Sequence, residues 1–96
     1  MSWFLYIVQG KDGTLYTGIT TDPKRRIIQH NTKKGAKSLR GKLPVKLVYN
    51  ELFKNQKEAA KREREIKGWK RYYKLKLIEE SNGFTRKISS EIVPGR

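Results

Sequence analysis

The chain has no cysteine, one histidine, one methionine and only nine acidic residues among its 96. Without cysteine there is neither a disulfide framework nor a thiolate metal site. A single histidine, His30, cannot build the three-ligand zinc centre of a zinc hydrolase. No apolar run is long enough to span a bilayer and no lipidation pattern is present, so a membrane is not the expected partner. The N-terminal MSWFLYIVQG is apolar, but it carries no basic leader and no cleavage site, so it reads as a strand. A cytoplasmic protein is the simple expectation. Phosphate-cradling glycine loops, nucleophile elbows, zinc-finger spacings and internal repeats are all missing.

What is present is positive charge. Twenty-three Lys and Arg give a net charge of +14 and a pI near 10.3. Such an excess repels itself in a folded protein and suits a polyanionic partner, nucleic acid first. The 35% hydrophobic content, with Trp3 and Trp69 among the aromatics, is enough for one small folded domain. The expected domain covers residues 1–80, with 81–96 a flexible tail poor in apolar groups. Nothing in the pattern calls for an obligate oligomer.

The elements can be read in order. WFLYIV (3–8) and TLYTGI (14–19) are aromatic and β-branched, and Lys11-Asp12-Gly13 between them is turn chemistry, which predicts a β-hairpin. Its register is open, so Tyr6 and Tyr16 fall on one face in some pairings and on opposite faces in others. Asp22 as N-cap and Pro23 at the first helical position predict a helix over 23–32. A basic loop follows over 35–44, then a third strand over 45–53. Asn55 with Glu58 fits the cap of a second helix, 56–67, which Gly68 interrupts. A third helix, about 70–79, is expected to turn Tyr72, Leu75 and Leu77 or Ile78 inward, and Asn82-Gly83 to start a polar tail. The order ββαβαα describes a small α+β domain with a three-stranded antiparallel sheet.

A few residues could carry chemistry. Arg26 and His30 lie four apart and share one edge of the first helix; taken alone they read as surface residues of a basic helix. Glu63 falls in the apolar stripe of the second helix with Ala59, Ala60 and Ile66. An acid there needs a partner. Either an arginine such as Arg26 pairs with it, or it is a divalent-metal ligand at the edge of a cleft. Glu65 has Arg62 and Lys61 behind it, an ordinary ion-pair setting. Residues 23–50 hold nine basic residues and no acid, and residues 61–76 hold eight, interleaved with Trp69, Tyr72 and Tyr73. Solvated helix faces normally mix signs, whereas this pattern suits a phosphate backbone with optional base stacking. The candidates for that contact are Lys24, Arg25, Lys33, Lys34, Lys37, Arg40, Lys42, Lys67, Lys70 and Arg71.

Together these residues resemble the GIY-YIG nuclease superfamily, and within it the small stand-alone bacterial proteins. The shared pattern is LYIV, then GTLYTGITTDPKRRIIQHN, the GAK loop, PVKLVY, and a helix with KRE and IKGW, covering residues 3 to about 79. The resemblance implies a GIY-YIG-like fold and a metal-dependent endonuclease hydrolysing DNA phosphodiesters with Mg²⁺ or Mn²⁺, in a setting such as DNA repair or recombination. It implies that Tyr6 and Tyr16 line an active site with Arg26 and His30, and that Glu63 holds the metal. Which tyrosine acts as general base stays open. The chain departs from the pattern in reading Phe4-Leu5-Tyr6 rather than Gly-Ile-Tyr, and Ser38-Leu39 after GAK rather than Tyr-Thr. The second reading is a non-catalytic DNA- or RNA-binding module on the same fold.

Overall fold

In the computed structural model the chain is described over residues 2–32 and 37–90, with side chains as far as Ser81 apart from those of Ser38 and Arg40. The elements are β1 (Trp3–Gln9), β2 (Leu15–Thr20), α1 (Pro23–Asn31), a 3-10 helix (Lys37–Lys42), β3 (Lys46–Phe53), α2 (Gln56–Lys67) and α3 (Arg71–Ser90). This is the expected ββαβαα order. The sheet is antiparallel with strand order β2-β1-β3.

β1 lies in the middle and is covered on both faces, which is why Leu5, Tyr6, Ile7 and Val8 are all buried in a row. On one face Tyr6 and Val8 pack with Leu39 and Val45, bordered by Tyr16, Ile27 and Leu43. On the other, Leu5 and Ile7 pack with Ile66, bordered by Trp69, Leu77 and Ile78. Each fully buried aliphatic side chain contributes about 1.5–3 kcal/mol.

The hairpin turn is closed by Gly10 N–H to Thr14 O at 2.8 Å and by Thr14 N–H to Asp12 Oδ1 at 3.0 Å. Gly13 takes a positive φ of 89°, which only glycine adopts without strain. This turn sets the register: Val8 faces Tyr16 and Tyr6 faces Gly18. Both tyrosines therefore stand on the same face of the sheet.

The caps form as expected. Asp22 accepts from Arg25 N–H at 3.1 Å, and Asn55 from Glu58 N–H at 2.9 Å. The side chain of Asn31 donates to Val45 O at 3.1 Å and accepts from Val45 N–H at 2.7 Å, tying the end of α1 to the start of β3. Two expectations for α3 need correction. Its helical backbone runs on through Asn82-Gly83 to Ser90. It also docks through Leu77 and Ile78, and that phase turns Tyr72 (63% exposed) and Leu75 (37%) outward. Part of the expected basic loop is the 3-10 helix, while residues 33–36 and 91–96 lie outside the described residues.

Candidate active site

Tyr6 and Gly18 are cross-strand partners, and the tyrosine ring lies flat over the glycine. A Cβ built on Gly18 would stand 2.7 Å from the phenol oxygen and 2.9 Å from Cζ. Gly18 therefore serves the ring and not a turn. A glycine inside a strand is the sequence signal of such a close approach, and it escaped the residue-by-residue reading.

α1 brings two groups to the same phenol oxygen. His30 Nε2 lies 2.9 Å away, and Arg26 Nε donates to it at 3.4 Å. Spacing of four residues places both on the helix edge that faces the sheet. His30 is 1% exposed, so the surface reading of this histidine does not hold. Arg26 Nη1 donates to Gln29 Oε1 at 2.9 Å. Tyr16 completes the group, its ring 6.3 Å from that of Tyr6 and 5.4 Å, edge-on, from the imidazole. Tyr6 is 1% exposed and Tyr16 half-buried, so Tyr6 is the inner ring and Tyr16 the outer one.

Burial holds the Tyr6 phenol above its ordinary 10.0; the Arg26 hydrogen bond opposes this, and the nearby Tyr16 and Glu63 add to the rise. Burial, helped by the Arg26 charge, holds His30 below its ordinary 6.5. Both groups are thus neutral at pH 7. Arginine can only donate, so the phenol accepts from Arg26 and directs its own proton at His30 Nε2.

Glu63 stands between buried Ala59 and Ile66 with its side chain 21% exposed. Its ion pair is with Lys67, at 3.1 Å, and not with Arg26, which corrects one of the two expectations for it. Its charge is nevertheless felt at the Tyr6 phenol. Among the described residues no three His, Asp or Glu side chains gather into a metal cluster.

The basic candidates divide. Lys24, Arg25, Lys37, Lys70 and Arg71 are exposed. Lys42 approaches Asp12 at 3.8 Å, and Lys67 is taken by Glu63. Lys33, Lys34 and the Arg40 side chain lie outside the described residues. Gln29 was not foreseen, although its place three residues after Arg26 on one helix is the spacing of neighbours.

Comparison with known proteins agrees with this fold. The GIY-YIG catalytic domain pattern matches residues 2–76. A UPF0213 protein of Staphylococcus saprophyticus is 53% identical over 77 residues, covering 80% of this chain and 94% of the relative. A UPF0213 protein of Desulfotalea psychrophila is 50% identical, covering 88% of this chain and 78% of the relative. The solution NMR structure of a UPF0213 protein of Bacillus halodurans superposes with a TM-score of 0.58 at 37% identity, covering 98% of this chain and 100% of that one. The match over residues 2–76 and these relatives place this chain in the GIY-YIG family.

Proposed function

We propose that this protein is a metal-dependent endonuclease that hydrolyses DNA phosphodiester bonds. The observation that carries the reading is the Tyr6 oxygen, held between a cationic donor, Arg26, and a neutral acceptor, His30. A phenol in that setting has somewhere to send its proton. As a water attacks phosphorus, its proton passes to Tyr6 while the Tyr6 proton passes to His30 Nε2. The new P–O bond forms on the water oxygen and the bond to the 3′ oxygen breaks, leaving a 5′ phosphate and a 3′ hydroxyl that is protonated from solvent. Arg26 has no carboxylate partner among the described residues, and its fork of donors meets the charge that develops on the phosphoryl oxygens. Tyr16, the more open ring, lines the substrate side.

A single partly exposed carboxylate fits Mg²⁺ or Mn²⁺, ions that keep waters and take ligands from substrate phosphates, and does not fit a closed zinc site. Glu63 would hold it. When bound, the metal supplies charge to polarise a phosphoryl oxygen and stabilise the leaving one. The exposed Lys24, Arg25, Lys37, Lys70 and Arg71 would meet the phosphate backbone, so binding should weaken steeply with salt.

The near-complete burial of Tyr6 favours a second reading, a nucleic-acid-binding module without turnover. Labelled plasmid, single-strand, flap and junction DNA incubated with Mg²⁺, Mn²⁺ or EDTA separates the two. Metal-dependent cutting by wild type, lost in Glu63→Gln with binding retained, is the expected result. Equal cutting by both proteins sinks the assignment of Glu63, and salt-sensitive binding without any cutting favours the module.

A further inference from the structure

We propose that a groove on the opposite side of the sheet, between Trp69 and Tyr73, is a second nucleic-acid site that takes an unstacked base from a single-stranded segment. The inference deepens the nucleic-acid reading and rests on it, but it does not depend on catalysis.

The groove encloses about 460 Å³ and is lined by Trp69, Tyr73, Lys76, Leu77 and Glu80. That volume lies within the range of about 300–1,000 Å³ typical of small-ligand pockets. Tyr73, Lys76, Leu77 and Glu80 follow the three-and-four spacing of one stripe of α3. Trp69 enters from the turn after α2 and is steadied by the Arg62 guanidinium, 5.4 Å from its ring centroid. Leu77 forms the floor, where the groove meets the core. Beside it Tyr72 is 63% exposed and Tyr73 55% exposed, their rings edge to face at 5.2 Å. Two neighbouring tyrosines turned to solvent on one helix form an apolar surface without a partner among the described residues.

Charge selects the occupant. Lys76 lines the groove with Glu80, and Lys70, Arg71 and Lys74 flank the two tyrosines in sequence. A partner must therefore bring negative charge and flat apolar surface together, as a nucleic-acid strand does. A duplex hides its base faces in the stack, whereas unpaired bases offer them to aromatic side chains. Lys76 suits the phosphate, and Glu80 can accept from a base amino group. Arg71 Nη2 lies 3.6 Å from the Cβ position of Gly13, so the start of α3 touches the hairpin turn.

The test is an anisotropy titration of the full chain in EDTA, with a short fluorescein-labelled oligothymidylate and, separately, a duplex of equal length. Tyr73→Ala should weaken oligothymidylate binding about tenfold, the effect of one lost stacking partner, and duplex binding less than about twofold. Tyr72→Ala and Lys76→Glu, both at exposed positions, carry the test if Tyr73→Ala loosens Trp69. Equal losses on both ligands, or no loss on either, overturn the groove assignment alone. Absence of wild-type binding to both overturns the nucleic-acid reading itself. Concentration-dependent self-association that Tyr73→Ala abolishes, with oligothymidylate affinity intact, would give the groove to a second copy of the chain and also overturn the proposal.

Discussion

Two polar clusters flank this small sheet, and they use the same kinds of residue to opposite ends. On one side Tyr6, His30 and Arg26 meet at a single phenol oxygen. On the other, Tyr49 donates to Glu51, and Arg62 grips both oxygens of Glu51 at 3.0 and 3.1 Å and Glu65 at 2.8 Å. In the second cluster two carboxylates answer the one arginine, with Trp69 lying under the guanidinium. Each guanidinium nitrogen of Arg62 is taken by a carboxylate, and the cluster fastens β3 to α2. In the first, Arg26 is met among the described residues only by a phenol and by the amide of Gln29. Its charge is uncompensated and can respond to a phosphate. Identical side-chain types thus read as structural or reactive according to whether a carboxylate answers the arginine.

Swapping each arginine should separate these roles most widely. Arg26→Gln is expected to lower cleavage by about two to three orders of magnitude, the scale of a lost oxyanion donor, with little change in melting temperature. Arg62→Gln leaves two acids facing each other without their cation and should destabilise by about 2 kcal/mol, the scale of hydrogen bonds to charged groups. Cleavage below the melting transition should then be unchanged. If the melting temperature falls for Arg26→Gln and activity falls for Arg62→Gln, the comparison is reversed.

Gly18→Ala sharpens the contrast from the backbone side. The new methyl would meet the Tyr6 ring at 2.7 to 3.1 Å, and that ring is closed in by α1. The expected cost is about 1–3 kcal/mol from overpacking, with loss of cleavage because the phenol leaves His30. Gly41 has nothing within 4 Å of its Cβ position, so Gly41→Ala provides the control. A fully active Gly18→Ala would mean that the Tyr6 position does not govern the chemistry.

Much of this arrangement was legible in the chain, and the gaps have physical causes. Asp22, Asn55 and the Asp12-Gly13 turn act through neighbours two or three residues away, so their sequence context suffices. The shared face of Tyr6 and Tyr16 depends on register, and a slip of one residue would reverse it. The Arg62–Glu51 pair joins residues eleven apart on different elements, and no local pattern announces it. Tyr72 was expected inward because apolar spacing alone cannot tell a core stripe from an exposed aromatic one. The burial of His30 follows from tertiary packing and not from its helix.

The two clusters should also fail at opposite ends of the pH scale. His30 has a folded value below its ordinary 6.5, so the unfolded chain takes up a proton first on acidification. Its contribution to stability is present above 6.5 and is lost as pH falls through the lowered folded value. A protonated His30 also cannot accept from Tyr6, so cleavage should fall on the same limb. Tyr49 is pushed up from 10.0 to about 12 by burial and by its bond to Glu51. Its contribution is present below 10.0 and is lost as pH rises toward about 12. Melting temperature against pH for His30→Gln and Tyr49→Phe checks both limbs. His30→Gln should flatten only the acid side and Tyr49→Phe only the alkaline side, and a shared loss would mean the clusters are coupled through the sheet.

The smallest effect concerns the carboxylate that belongs to neither cluster. Glu63 is paired with Lys67 along the helix surface, the Lys67 side chain being 53% exposed. Exposed pairs of this spacing contribute about 0.3–0.5 kcal/mol, so Lys67→Gln should barely move the melting temperature. It removes a cation that competes with a metal for the same oxygens, and it should lower the Mg²⁺ concentration for half-maximal cleavage by a few fold. If Lys67 instead serves the DNA backbone, the same variant should weaken DNA binding and leave the Mg²⁺ dependence where it was. A metal titration beside a salt titration tells these outcomes apart, because a lost phosphate contact lowers the salt slope by about one unit while a freed metal ligand leaves it unchanged.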